Sequence, residues 1–221
     1  WKVTNGRRCR DRVARVALEC DGPNPHAQSM TPKPDFADLT GKLLIAMPDM
    51  VDPRFHAAVV FLCAHSAEGA MGLIVNKPMQ EVRFSEMLEQ LDIPRGAGMQ
   101  DLPVCYGGPV EARRGFVLHG AGYKGRQDDQ LRVDDSFAMT ATIDVLEDLA
   151  QGLGPARALM ALGYSGWGPG QLEDEIAQNG WLTADATPEI VFGARMEGKW
   201  AAALATLGVS PLTLSSEAGR A

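Results

Sequence analysis

Val59-Val60-Phe61-Leu62-Cys63-Ala64, followed by His65-Ser66-Ala67-Glu68-Gly69 and then Ala70-Met71-Gly72-Leu73-Ile74-Val75-Asn76, lays out two apolar runs and a polar link between them. Its first run is β-branched and aromatic, which predicts a strand buried on both faces. Met71 to Asn76 predicts a second strand. The polar link Ser66 to Gly69 contains a glycine and is short enough to join the two as a hairpin.

Upstream of it, Leu43 to Met47 predicts a short strand that enters a turn at Pro48. Ser85 is expected to cap a helix whose apolar positions Met87, Leu88 and Leu91 recur at helical spacing, with Pro94 ending it. Val104 to Tyr106 and Phe116 to His119 predict strands around the Gly107-Gly108-Pro109 turn. Leu131 to Val133 and Phe137 to Thr140 predict two more. Thr142 to Gln151 is an amphipathic helix, with Ile143, Leu146 and Leu149 opposite Asp144, Glu147 and Asp148. Ala156 to Tyr164 fits helix or strand by periodicity, and its flanking glycines favour strand. Gln171 to Asn179 predicts a helix closed by Gly180. Another helix is expected to start at Pro188 with Thr187 as cap, and a last one to run from Trp200 to Leu207. No repeat or low-complexity linker divides this region, so it is expected to form one domain.

The 221 residues are 45% hydrophobic and 22% charged, which suits a globular chain able to bury a core without disulfides or a metal. A formal net charge of -7 argues against a large basic face and so against direct nucleic-acid binding. Cys9, Cys20, Cys63 and Cys105 form no C-x-x-C pair, and Cys63 and Cys105 lie in apolar runs. No apolar run approaches membrane-spanning length and no secretory signal is recognisable, so a cytoplasmic location without membrane contact is expected.

Residues 1–38 differ in character from the rest of the chain: Arg7, Arg8, Arg10, Arg12 and Arg15 make them basic, and Pro23, Pro25, Pro32 and Pro34 interrupt regular structure. They are expected to be a poorly ordered extension ahead of a domain at 39–221. Met30 as the natural start and a short helix from Arg10 to Glu19 docked on the body are both open readings.

Four constellations are candidates for chemistry. Gly163, Gly166, Gly168 and Gly170 precede a helix and resemble a phosphate-cradling loop, but Glu173, Asp174 and Glu175 would repel a phosphate there; a tight turn packing Trp167 is expected instead. Ser165 fails as a nucleophile elbow because Trp167 occupies the second glycine position. His65, Glu68, Asn76, Lys77 and His119 could form a polar cluster for acid–base work or metal binding, with His65 and Asn76 near the two ends of the hairpin and the histidines without the fixed spacing of a metal motif; polar residues where strands leave the core are the plainer reading. Arg113, Arg114, Lys124 and Arg126, among Gly120, Gly122 and Gly125, form a basic loop suited to an anionic ligand or partner, although Asp128, Asp129, Asp134 and Asp135 lie close by in sequence.

The words of the sequence add to this reading. Gly41-Lys42-Leu43-Leu44-Ile45-Ala46-Met47-Pro48, Asp52-Pro53-Arg54-Phe55, Glu68 to Pro78, Gly107-Gly108-Pro109-Val110, Arg114 to His119 and Gly163 to Leu172 resemble the YqgE/AlgH family, in order and over nearly all of 39–221. The resemblance implies an α+β fold, a single domain with a curved, barrel-like mixed sheet flanked by helices. The family is named for a proposed role in regulating alginate production, and its members carry the label of transcriptional regulator. No catalytic residue, metal or cofactor carries over. The residues do not support direct DNA reading, since no helix-turn-helix is recognisable and helices 142–151 and 171–179 expose acidic faces.

The expectation is therefore a non-enzymatic binding or regulatory module acting on an unknown protein or small-ligand partner, without cofactor. Its candidate ligand-binding residues are His65, Asn76, Lys77, Gly107, Gly108 and His119. The alternative is a small hydrolase or transferase using His65, His119 and Asn76.

Overall fold

A computed structural model describes residues 38–99, 101–125, 130–193, 195–211 and 214. The extension expected at 1–38, Asp38 apart, lies outside the described residues, as do Arg126, Asp128 and Asp129 of the basic loop. The described residues form one curled, half-barrel sheet with five α-helices. The strands are β1 (Lys42–Ala46), β2 (Val59–Ser66), β3 (Gly69–Ile74), β4 (Val104–Tyr106), β5 (Val110–Gly120), β6 (Gln130–Arg132), β7 (Phe137–Thr140), β8 (Ala158–Trp167) and β9 (Trp181–Asp185). The helices are α1 (Phe84–Gln90), α2 (Ile143–Gln151), α3 (Gln171–Ala177), α4 (Pro188–Phe192) and α5 (Lys199–Thr206). Across the sheet the order is β6-β7-β5-β8-β3-β2-β1-β9. Every pairing is antiparallel except that of β4, which runs parallel to β8. The α+β class and the mixed sheet expected from the sequence are both present.

The β2–β3 hairpin lies well inside the sheet, with Phe61 opposite Leu73 and His65 opposite Ala70. Alternation at period two sends its side chains into different cores. Val59, Phe61 and Cys63 join Leu43, Phe116, Phe137, Val191 and Leu204 in one cluster. Val60 and Leu62 join Leu44, Ile74, Trp167, Leu172 and Trp181 in another. Farther along the sheet, Val117 and Met160 pack with Leu88, Leu146 and Leu149. Both faces of the sheet are thus covered by helices, which is why the strands read as unbroken apolar runs.

Several local expectations shift. Gly163 to Trp167 is not a turn but the end of β8, and only Gly168 to Gly170 turns ahead of α3. Gly163 fits there with φ +74, and a Cβ would stand 2.4 Å from Gly108 O. The strand β9 has no counterpart in the sequence reading. The residue preceding α1 is Arg83, with no side-chain cap, and Ser85 sits inside the first turn. At the end of α3 the left-handed position is taken by Asn179 (φ +58), with the Gly180 N–H donating to Glu175 O at 2.8 Å. Thr187 does cap α4, its Oγ1 accepting from Ile190 N–H.

Candidate functional site

Where β3 ends, the chain is held rather than released. Val75 N–H still donates to Val59 O, and the Asn76 side chain then replaces the ladder: its Oδ1 accepts from Val59 N–H and its Nδ2 donates to Ala57 O, each at 2.8 Å. Ala57 sits at φ +50, so the loop turns sharply just where the amide grips it. Lys77 Nζ donates to Arg54 O at 2.7 Å. Burial lowers the Lys77 pKa, against the pull of Asp52. Within the loop, Asp52 accepts from Arg54 N–H at 2.9 Å and takes the guanidinium through Nε and Nη2. Those hydrogen bonds hold the Asp52 carboxyl below its usual range.

The Tyr106–Gly108 segment packs against this corner. Tyr106 N–H donates to Lys77 O at 2.8 Å, and Gly107 O accepts from Ile74 N–H at 2.9 Å. Partial burial raises the Tyr106 phenol, and Arg54 opposes that shift. Gly107 and Gly108 serve close backbone approach: a Cβ on Gly108, at φ +153, would lie 2.2 Å from the Tyr164 carbonyl carbon. Ser165 lies fully buried within β8, its Oγ donating to Gly107 O at 3.3 Å, so it has no nucleophile geometry. Beneath the loop, Phe55 meets Trp181 and Trp167 at centroid distances of 5.6 and 6.5 Å. Both indoles, of Trp167 and Trp181, donate to Glu175 Oε2, at 2.9 and 2.7 Å.

Asn76, Lys77, Gly107 and Gly108 are therefore brought together, while the two histidines lie elsewhere. His119 pairs with Ala158 at one end of β8, whereas His65 lies level with Ala70 and Trp167 at the other. Nine residues of strand separate those levels, roughly 30 Å along its path. Asn76, bonded to Val59, is six residues from His65 along β2, roughly 20 Å.

Each histidine is also committed locally. His65 Nδ1 accepts from Leu39 N–H at 3.2 Å, which leaves the proton on Nε2, 2.9 Å from Glu173 Oε1. That ring ties the start of the described chain to α3. His119 is fully buried. Its Nδ1 donates to Gly120 O at 3.0 Å and its Nε2, 2.9 Å from Thr140 Oγ1, accepts the hydroxyl proton. Burial lowers its pKa. Glu68 merely receives support within the hairpin turn, where its N–H donates to Ser66 Oγ.

In the basic stretch, Arg114 reaches Glu111 at 2.9 Å and lies over the Phe116 ring. Among the described residues no group of three or more His, Cys, Asp or Glu side chains could hold a metal ion. Sequence reasoning singled out Asn76 and Lys77 but not Arg54, Phe55 or Tyr106, although the Asp52-Pro53-Arg54-Phe55 word was a signal. Chemically, the corner offers the outer N–H groups of a guanidinium that Asp52 already pairs, the one ammonium hydrogen that Pro53 O and Arg54 O leave on Lys77, and a phenol, on a hydrogen-bonded backbone beside an aromatic cluster. Such a set suits recognition of acceptor oxygens on a partner or ligand.

A family model described as AlgH-like matches residues 43–212. The chain is 64% identical to the UPF0301 protein of Jannaschia sp. (strain CCS1), over 85% of this chain and 98% of that one. It is 62% identical to a UPF0301 protein of Ruegeria pomeroyi, over 83% of this chain and all of that one. Among solved structures it resembles the solution structure of the AlgH protein from Pseudomonas aeruginosa, at TM-score 0.68 and 41% identity, covering 88% of this chain and 100% of that one. A crystal structure from Corynebacterium diphtheriae, 20% identical at TM-score 0.62, covering 91% of this chain and 94% of that one, shares the fold. The chain belongs to the AlgH-like family.

Proposed function

We propose that this protein is a non-enzymatic binding module whose recognition surface is the corner formed by the Asp52–Phe55 loop, Asn76-Lys77 and Tyr106–Gly108. The observation that carries the reading is the contrast between this corner and the histidines. Three separate chain segments converge on it, each fixed by hydrogen bonds to another; the Arg54 side chain, though paired with Asp52, is 55% exposed, and Tyr106 is half-buried. A fixed backbone lowers the ordering cost of binding. His65 and His119, on which a hydrolase or transferase would depend, have both ring nitrogens engaged and lie far apart. The partner is a protein or small ligand presenting carboxylate, phosphate or carbonyl oxygens. A regulatory role, whether or not it concerns transcription, would then run through that partner rather than through direct DNA contact.

The test is affinity capture from a lysate of the native host, with the wild-type chain and Arg54→Glu as paired baits and Arg132→Glu as control. Enrichment of the same partner by wild type and the control, lost with Arg54→Glu, supports the reading. Equal enrichment by all three would remove the corner from it. A turnover assay that fails with His119→Gln but not with Arg54→Glu would favour the enzymatic alternative. Affinity for DNA that falls steeply with salt would restore direct nucleic-acid binding.

A further inference from the structure

Four polar or charged residues are buried among those described, and Lys199 is the one that carries a cationic side chain. It opens α5 and points into the apolar cluster of the half-barrel. Its Nζ donates to Val191 O in the last turn of α4 at 2.6 Å and to Val75 O just past β3 at 2.9 Å. One amine thus ties both C-terminal helices to the central hairpin. A cation near a helix C-terminus is favourable, yet neither partner is a carboxylate, so the charge is desolvated without a counter-ion. A neutral amine has two hydrogens, which suffice for both carbonyls without that penalty.

We propose that Lys199 is a proton-controlled latch: α4 and α5 form a cap that opens as a unit from the face of the sheet that carries Phe61 and Phe137, and it opens more readily when Lys199 is protonated. Opening separates Phe192 from Phe137, whose rings sit 5.6 Å apart, and bares the apolar face around Phe61 and Cys105. The surrounding groups leave the lysine as the switch. Cys105 on β4 and Cys63 on β2 are buried thiols pushed up to about 11 and about 12. Glu189 on α4 is exposed and pairs with Arg157. Arg195 and Glu197, ahead of α5, are exposed. Lys42 of β1 pairs with Asp185 of β9, Lys77 beyond β3 reaches Arg54 O, and His65 ends β2 at Glu173. Burial lowers the Lys199 pKa from 10.5 to about 8, so the change falls in an accessible range.

The test is amide hydrogen exchange of the full chain between pH 7 and 9.5, corrected for intrinsic rates, comparing Val191 and Ala203 with Phe61. With a solvated lysine in the open cap, linkage predicts about 25-fold less opening at pH 9.5 than at pH 7. Lys199→Met should abolish that pH dependence. Lys199→Arg, which stays charged, should keep the cap prone to open throughout. Exchange of Val191 and Ala203 only at the rate of Phe61, or the same pH dependence in Lys199→Arg, would overturn the latch. Should Lys199→Met fail to fold, the wild-type series and the arginine variant still decide.

Discussion

Asn76→Asp is the substitution that most sharply tests whether the corner is built as described. The aspartate is isosteric, so packing is preserved and the change is confined to one donor turned acceptor and the charge that comes with it. In the native corner Asn76 Oδ1 accepts from Val59 N–H and Nδ2 donates to Ala57 O, both at 2.8 Å. Aspartate keeps the first bond and turns the second into an oxygen facing an oxygen. Loss of one partner from a partly buried group costs about 1–3 kcal/mol. Adding repulsion and the desolvation of a new charge gives about 2–4 kcal/mol in total. Urea unfolding measures it directly: with a slope of about 2 kcal/mol/M, the midpoint should fall by about 1–2 M. Lowering the pH toward 4 should recover part of the loss, because the protonated acid can donate to Ala57 O. A midpoint within about 0.2 M of wild type would show that Asn76 does not hold the loop.

Three further outcomes rest on the same kind of contact. His119 stays neutral because burial lowers its pKa from 6.5, so the unfolded chain takes up a proton on acidification before the folded one does. Stability should be full above pH 6.5 and fall as pH drops through the folded value, and His119→Gln should flatten that part of the pH profile in thermal unfolding. Gly108→Ala forces a Cβ against the Tyr164 backbone at φ +153 and should cost about 3 kcal/mol or more, or prevent soluble expression. Glu175→Ala leaves two indole N–H groups without their shared acceptor and should cost about 2–4 kcal/mol, together with a change in near-ultraviolet circular dichroism from Trp167 and Trp181.

Much of the sheet was legible because burial on both faces writes itself as continuous apolar sequence, as in Val59 to Leu62. What escaped notice were elements whose signals conflict locally. β9 begins directly after Gly180 and mixes Thr183 and Asp185 into five residues, so it reads as a connection; its place is fixed by pairing with β1 instead. The Gly163–Trp167 segment looks like a turn by composition, yet Gly163 serves close packing of β8 against Gly107 and Gly108. For the site, a cluster of His65, His119 and Asn76 requires residues at different strand ends to converge. The hairpin register keeps His65 and Asn76 apart, because each residue of separation along a strand adds about 3.3 Å. Lys199 was invisible for another reason: a lysine at the start of a helix ordinarily faces water, and only the tertiary fold turns it inward.

We propose that the Arg54–Lys77–Tyr106 corner is where this protein meets its partner. Site-specific photo-crosslinking in living cells probes that contact, with the reactive residue placed at Val51 and His56, exposed neighbours of Arg54 that leave Arg54, Lys77 and Tyr106 in place, and, as distant controls, at Arg132 and Asp185. One crosslinked species should form from Val51 and His56 and be missing from both controls. Crosslinks of equal yield from Arg132 or Asp185, or none from the corner while a control gives one, would contradict it.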